Sequence, residues 1–187
     1  MAFLAALWLP ILVSAVFVFI ASALIHMCSP MHKGDLKKMK NEDAVLEALR
    51  ASGVGPGEYM FPCADSMKDM GSPEMLEKFK RGPVGWMTII PAERFNMNTS
   101  LAAWFIHCLI LGTLIAYLTW HALEPGAAYL RVFQIAGAAA VLGHAFIHAP
   151  NSIWKGESWR VTFKFFIDGV IYSLITAGTF GWLWPAA

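Results

Sequence analysis

From Phe3 to Ile25 the chain carries no charged residue, and it comes close to repeating that pattern three more times. A bilayer core takes about 20 mainly apolar residues to cross as a helix, so runs of this length are read as spans. The second run covers Ser100 to Ala122 and is entered through Asn98, Thr99 and Ser100, which are good helix-capping types. The third covers Tyr129 to Ala149, after a Pro125-Gly126 turn and before Pro150. The fourth covers Val161 to Trp184 and stops at Pro185. In lipid the backbone must satisfy its own hydrogen bonds, so all four are expected to be helices. The third, rich in small residues, is expected to be the one buried among the others.

The remaining composition agrees. Hydrophobic residues make up 57% of the chain and charged ones 14%, well below the roughly 25% of a soluble domain. Net charge is +1, and no Lys/Arg-rich tract is interleaved with aromatics, so no nucleic-acid partner is implied. Cys28, Cys63 and Cys108 form no CxxC pair and suggest no disulfide framework.

The first run reads as an uncleaved anchor. Ala21-Ser22-Ala23 resembles a cleavage site, but no Lys or Arg precedes the run and its apolar stretch exceeds a signal-peptide core. Lys33, Lys37, Lys38 and Lys40 follow it instead. Most basic residues fall between the first and second runs, and Lys155, Arg160 and Lys164 lie between the third and fourth, leaving Arg131 for the opposite side. The positive-inside rule then puts both basic loops in the cytoplasm and both termini outside. Trp8, Trp120, Trp182 and Trp184 would mark the outer interface, and Trp104, Trp154 and Trp159 the inner one.

Residues 28–98 form the long cytoplasmic loop region. Asn41 can cap a short amphipathic helix, EDAVLEALR. SPEMLEKFKRGP reads as a second helix, with Ser72 as cap, Pro73 first and Gly82-Pro83 last. VGWMTIIP reads as a strand that can pair with EYMFP. Exposed Met60, Phe61, Trp86 and Ile89 would let this region pack on a bilayer surface, on a partner, or on its own bundle.

The words HKGD, NEDAVLEALR, YMFP, SPEMLEKFKRGPVG and TAGTFGWLWP resemble a family of small, uncharacterised bacterial integral membrane proteins. The resemblance covers most of the chain. It implies a bacterial inner-membrane setting and brings no activity with it.

Chemistry is sought among the ionisable residues. ALIHMCSPMHKGD gathers His26, Met27, Cys28, Met31 and His32. These are soft or borderline metal donors, but Pro30 separates the two halves, and taken alone the stretch reads as a helix leaving a membrane. Deeper candidates are His144 and His148, four apart on the third run and so on one face, with Ala136 and Ala140 continuing the ladder. In the fourth run Lys164, Asp168, Tyr172 and Thr176 make a polar stripe, and His107 lies at a similar depth in the second. An intramembrane charge is costly and marks an interior or a cavity. His144, His148, His107 and Asp168 are therefore the candidate cofactor site, and His26, His144 and His148 the candidate metal ligands, for haem b or a transition metal. The alternatives are a hydrogen bond that holds helix register and a proton or ion path. Lys164 can simply snorkel beside Asp168.

There is no GxSxG, Walker loop, GxGxxG or HExxH. The expectation is an all-α membrane protein, with four transmembrane helices and a small α+β cytoplasmic loop region between helices 1 and 2. Divided by sequence, it comprises helix 1 (1–27), the loop region (28–98) and helices 2–4 (99–187). The function expected is a non-enzymatic accessory or assembly component in the bacterial inner membrane, touching lipid and either another membrane protein or a second copy. Ala139 and Gly143 offer a close-packing site for the latter.

Overall fold

The computed structural model describes residues 2–187. In chain order its elements are α1 (Ala2–Cys28), α2 (Glu42–Ala51), β1 (Gly57–Phe61), α3 (Pro73–Arg81), β2 (Gly85–Ile89), α4 (Met97–Ala122), α5 (Tyr129–His144), α6 (Ala149–Lys155) and α7 (Trp159–Trp182), with short 3-10 turns before α3 and after β2. They fall into two compact units, one of Met1–Asp35 with Met97–Ala187, the other of Leu36–Asn96.

The first unit is a helical bundle. α1, α4, the α5–α6 segment and α7 are each long and apolar enough to cross a membrane. The chain is an integral membrane protein. Its outward side chains, among them Leu12, Phe17 and Ile20 on α1 and Ile106, Ile110 and Leu114 on α4, are exposed. In lipid such side chains carry no cost.

Inside, one core joins Leu7 and Ile11 of α1, Ile115 of α4, Val132 and Ala136 of α5, and Phe180 of α7. A second joins Ala15, Val18, Cys108 and Tyr172. Lipid supplies no hydrophobic drive between helices, so close packing of small residues must hold them. The α5–α7 contact shows this. Ala136 and Ala140 are fully buried, and a Cβ on Gly137 would sit 3.2 Å from the methyl of Ala177. The turn before α5 is closed by the Gly126 N–H donating to the Pro185 carbonyl at 2.8 Å, with Gly126 at φ +82° as sequence suggests for Pro125-Gly126.

Three expectations for the spans are corrected. The third run is not one helix to Ala149. α5 ends at His144, residues 145–148 turn, and Pro150 sits in the first turn of α6. Proline lacks only an N–H that a helix start leaves unpaired, so here it opens a helix rather than closing one. The most buried span is α7, not the third, because α7 turns its polar face (Asp168, Tyr172, Ser173, Thr176) inward. Asn98, Thr99 and Ser100 lie inside the first turn of α4, which begins at Met97.

The second unit is built as its sequence suggests. β1 and β2 pair antiparallel, Gly57 opposite Ile89 and Phe61 opposite Gly85. Ser72 Oγ accepts from the Met75 N–H at 3.2 Å, Pro73 opens α3, and Gly82 at φ +58° follows its end. Asn41 holds the cap position of α2 without a side-chain capping bond. Gly143, a candidate for contact with a second copy, packs inside the bundle against Leu111.

Gly169 sets the distance between α7 and the end of α5: a Cβ there would overlap the backbone of His144 and Ala145. A Cβ on Gly178 of the same helix would make only an ordinary van der Waals contact, 3.7 Å from the Tyr129 hydroxyl. Gly169→Ala is expected to destabilise the bundle by about 1–3 kcal/mol, the usual range for overpacking. Gly178→Ala should be close to neutral. Thermal melts of both variants in one detergent check this; equal midpoints would refute the close-approach role.

Candidate metal centre

α7 delivers Asp168 to the bundle interior, where the side chain is 2% exposed. A carboxylate so placed must find partners or lose its charge. The partners come from the end of α1 and the turn that follows it. His32 Nε2 lies 2.8 Å from Asp168 Oδ2, and His26 Nε2 lies 3.8 Å from the same oxygen.

The turn is local in origin. α1 runs out at Cys28, the Met31 N–H bonds Ser29 Oγ at 3.1 Å, and the Lys33 N–H bonds the Pro30 carbonyl at 3.1 Å. Gly34, at φ +85°, takes a backbone conformation that side-chain residues avoid. Asp35 is thereby carried back over His32, its Oδ2 2.8 Å from His32 Nδ1. Lys164, one turn before Asp168 on α7, donates to the other oxygen of Asp35. That Lys164 hydrogen bond, aided by one from His32, holds the Asp35 carboxyl below the usual carboxylate range against partial burial. The result is a chain of contacts, Lys164–Asp35–His32–Asp168, with His26 beside it.

The partner of the His26 ring fixes its tautomer. His26 Nδ1 is 3.0 Å from the Ser22 carbonyl, which can only accept, so Nδ1 carries the hydrogen and a neutral ring leaves Nε2 with its lone pair toward Asp168. His32 lies between two carboxylates, its Nδ1 2.8 Å from Asp35 Oδ2 and its Nε2 2.8 Å from Asp168 Oδ2. A carboxylate or carbonyl behind one imidazole nitrogen, with the other aimed at a shared point, is how metal-ligating histidines are oriented. His26 and His32 stack in parallel, 4.5 Å between centroids and 6° between planes, and Phe165 covers both.

His26, His32 and Asp168 each present one ligand atom, all within 4.8 Å of one another. Ligands at ~2.1 Å from a shared metal are ~3.0–3.4 Å apart in octahedral or tetrahedral geometry. The 2.8 and 3.8 Å separations straddle that range and the third lies within 4.8 Å, so a shared metal is reached by turning one of the two stacked imidazoles toward Asp168. Two imidazoles and a carboxylate suit a divalent first-row metal. Asp168 Oδ1 is buried with no protein hydrogen-bond partner, which leaves it free for a cation or a bound ligand.

Of the residues singled out by sequence, Asp168 and His26 are in this group. His144 is not. It ends α5 edge-on to Tyr172, with ring centroids 5.8 Å apart. His148 sits beyond the break, so the two do not share a continuous helix face, and it stacks at 4.5 Å on Phe165, the ring that also covers His26 and His32. His107 is exposed on α4 and stacks on Trp104. Lys164 pairs with Asp35 rather than lying free beside Asp168. The parallel contact of His26 and His32 leaves no slot for a porphyrin between them, so this group does not fit a haem. The sequence pattern offered His32 among the donors of the opening stretch but read that stretch as a helix exit, and it did not single out Asp35. The available signal was HKGD itself, a histidine and an aspartate three apart across a glycine.

Comparison with family models, with curated proteins and with solved structures gives no match. The geometry above therefore carries the functional reading.

Asp168 should anchor the 29–35 turn. Asp168→Ala is expected to speed hydrogen exchange at the Met31, Lys33 and Asp35 amides by about tenfold, the loss of a hydrogen bond to a charged group. The β1 and β2 amides should not change. Unchanged exchange in the turn would show that it is held by other contacts.

Proposed function

We propose that this integral membrane protein binds one divalent transition-metal ion per chain through His26, His32 and Asp168. The observation that carries the reading is that three donors, from α1, its following turn and α7, lie within 4.8 Å of one another, with Asp168 buried, His32 half-buried and His26 exposed. Asp35 acts behind His32, and Lys164 behind Asp35. The family resemblance and the positive-inside pattern support a bacterial inner-membrane setting with both termini periplasmic, which would put the centre at the cytoplasmic end of the bundle.

Metal titration of detergent-purified protein, read by calorimetry and elemental analysis, tests this. One equivalent of Zn(II) or Co(II) is expected. His32→Ala and Asp168→Ala should abolish binding, while the His144→Ala/His148→Ala double variant retains it. Asp35→Asn should weaken affinity by about 10- to 100-fold, the usual effect of removing an outer-shell partner. No binding, or loss with the His144/His148 pair instead, would overturn the assignment.

A second reading is favoured by the other unit: α2 buries none of its residues, and Val45 and Leu46 are exposed. A helix that leaves an apolar stripe uncovered suits a partner surface, consistent with an accessory component that docks through its loop. Crosslinking in membranes from a probe at Val45 should capture a discrete protein partner, and Val45→Asp should remove that adduct. Labelling of lipid alone would refute it.

A further inference from the structure

Three protein ligands do not complete a metal's coordination. Structural zinc sites close with four, and sites that bind or transform an exogenous molecule keep a position open. What lies beside the open position is therefore informative, and here it is polar. Asp168 Oδ1 is buried without a protein partner, and so is the hydroxyl of Tyr172, one turn further along the same inward face of α7. These two are the unpartnered buried side-chain polar atoms among the described residues. Helix side chains lean toward the N-terminus, so Tyr172 leans back over the turn that carries Asp168. The ring is fixed from two sides, by Trp104 at 6.1 Å and His144 at 5.8 Å between centroids. His144 thus acts as a wall rather than a ligand. A buried hydroxyl and a buried carboxylate oxygen left open by the protein are expected to bond something else.

The geometry points to a subsite for a small exogenous ligand on the Tyr172 side of the centre. The ligand is a water-sized oxygen or nitrogen donor that coordinates the metal while bonding Asp168 Oδ1 or the Tyr172 hydroxyl. This rests on the metal reading above and adds that the centre is open and ligand-binding rather than closed and structural.

The test uses the full-length protein in detergent, loaded with Co(II), with azide as the probe. Co(II) reports its own coordination through its visible bands. Azide is expected to shift those bands saturably in the wild type. Tyr172→Phe should keep Co(II) affinity, confirming that fold and metal site survive, but bind azide roughly three- to tenfold more weakly, the loss of one hydrogen bond. Bound Co(II) whose bands do not respond to azide would overturn the subsite and leave the metal centre standing. An azide response identical in wild type and Tyr172→Phe would also overturn it, since the ligand would then enter from another side. Failure of Co(II) to bind at all would overturn both.

Discussion

A carboxylate inside an apolar bundle has to be answered by something, and the answer to Asp168 shapes this protein. Water cannot reach it freely, and leaving it charged and alone would cost several kcal/mol. The chain responds with two imidazoles, and then with Asp35 and Lys164 behind one of them. Two carboxylates face one ammonium in this network. Charge balance closes with a proton on an imidazole or with a cation between the imidazoles and Asp168.

The packing exists to hold that point. α7 turns its polar face inward, which makes it the most buried span, and Ser173 and Thr176 quiet their hydroxyls by bonding the carbonyls four residues back, at 2.6 and 2.9 Å. Asp168 and Tyr172 have no such internal solution. Next to Asp168, Gly169 lets the backbone at the end of α5 press directly on α7. The break at residues 145–148 follows there, with Ala145 buried and Phe146 and Ile147 exposed. On the other side, Trp104 of α4 donates to Ser22 Oγ of α1 at 2.9 Å, fixing the turn of α1 whose carbonyl orients His26.

Much of this was legible in sequence, and the failures share a cause. The four spans and the loop elements announced themselves through run length, the Ser72-Pro73 start, the Gly82 end and the alternating strands. Asp168 stood out because a charge is rare in such a run. His144 and His148 were misread because a 3.6-residue period was carried through Phe146 and Ile147, where the chain in fact turns. Pro30 was read as separating His26 from His32, yet the turn it belongs to folds His32 back beside His26. Depth in a span could be estimated for His107, but not the side of α4 on which it lies. The periodicity of one helix fixes which residues share a face and says nothing of which neighbour that face meets.

The proposed ligands are His26, His32 and Asp168. X-ray absorption at the metal edge of Zn(II)-loaded protein measures that coordination directly. Only nitrogen and oxygen scatterers are expected, at about 2.0–2.1 Å, with more distant scattering from two imidazoles. A sulfur scatterer near about 2.3 Å would instead put Cys28 on the metal. That result, or a signal from a single imidazole, would contradict the account.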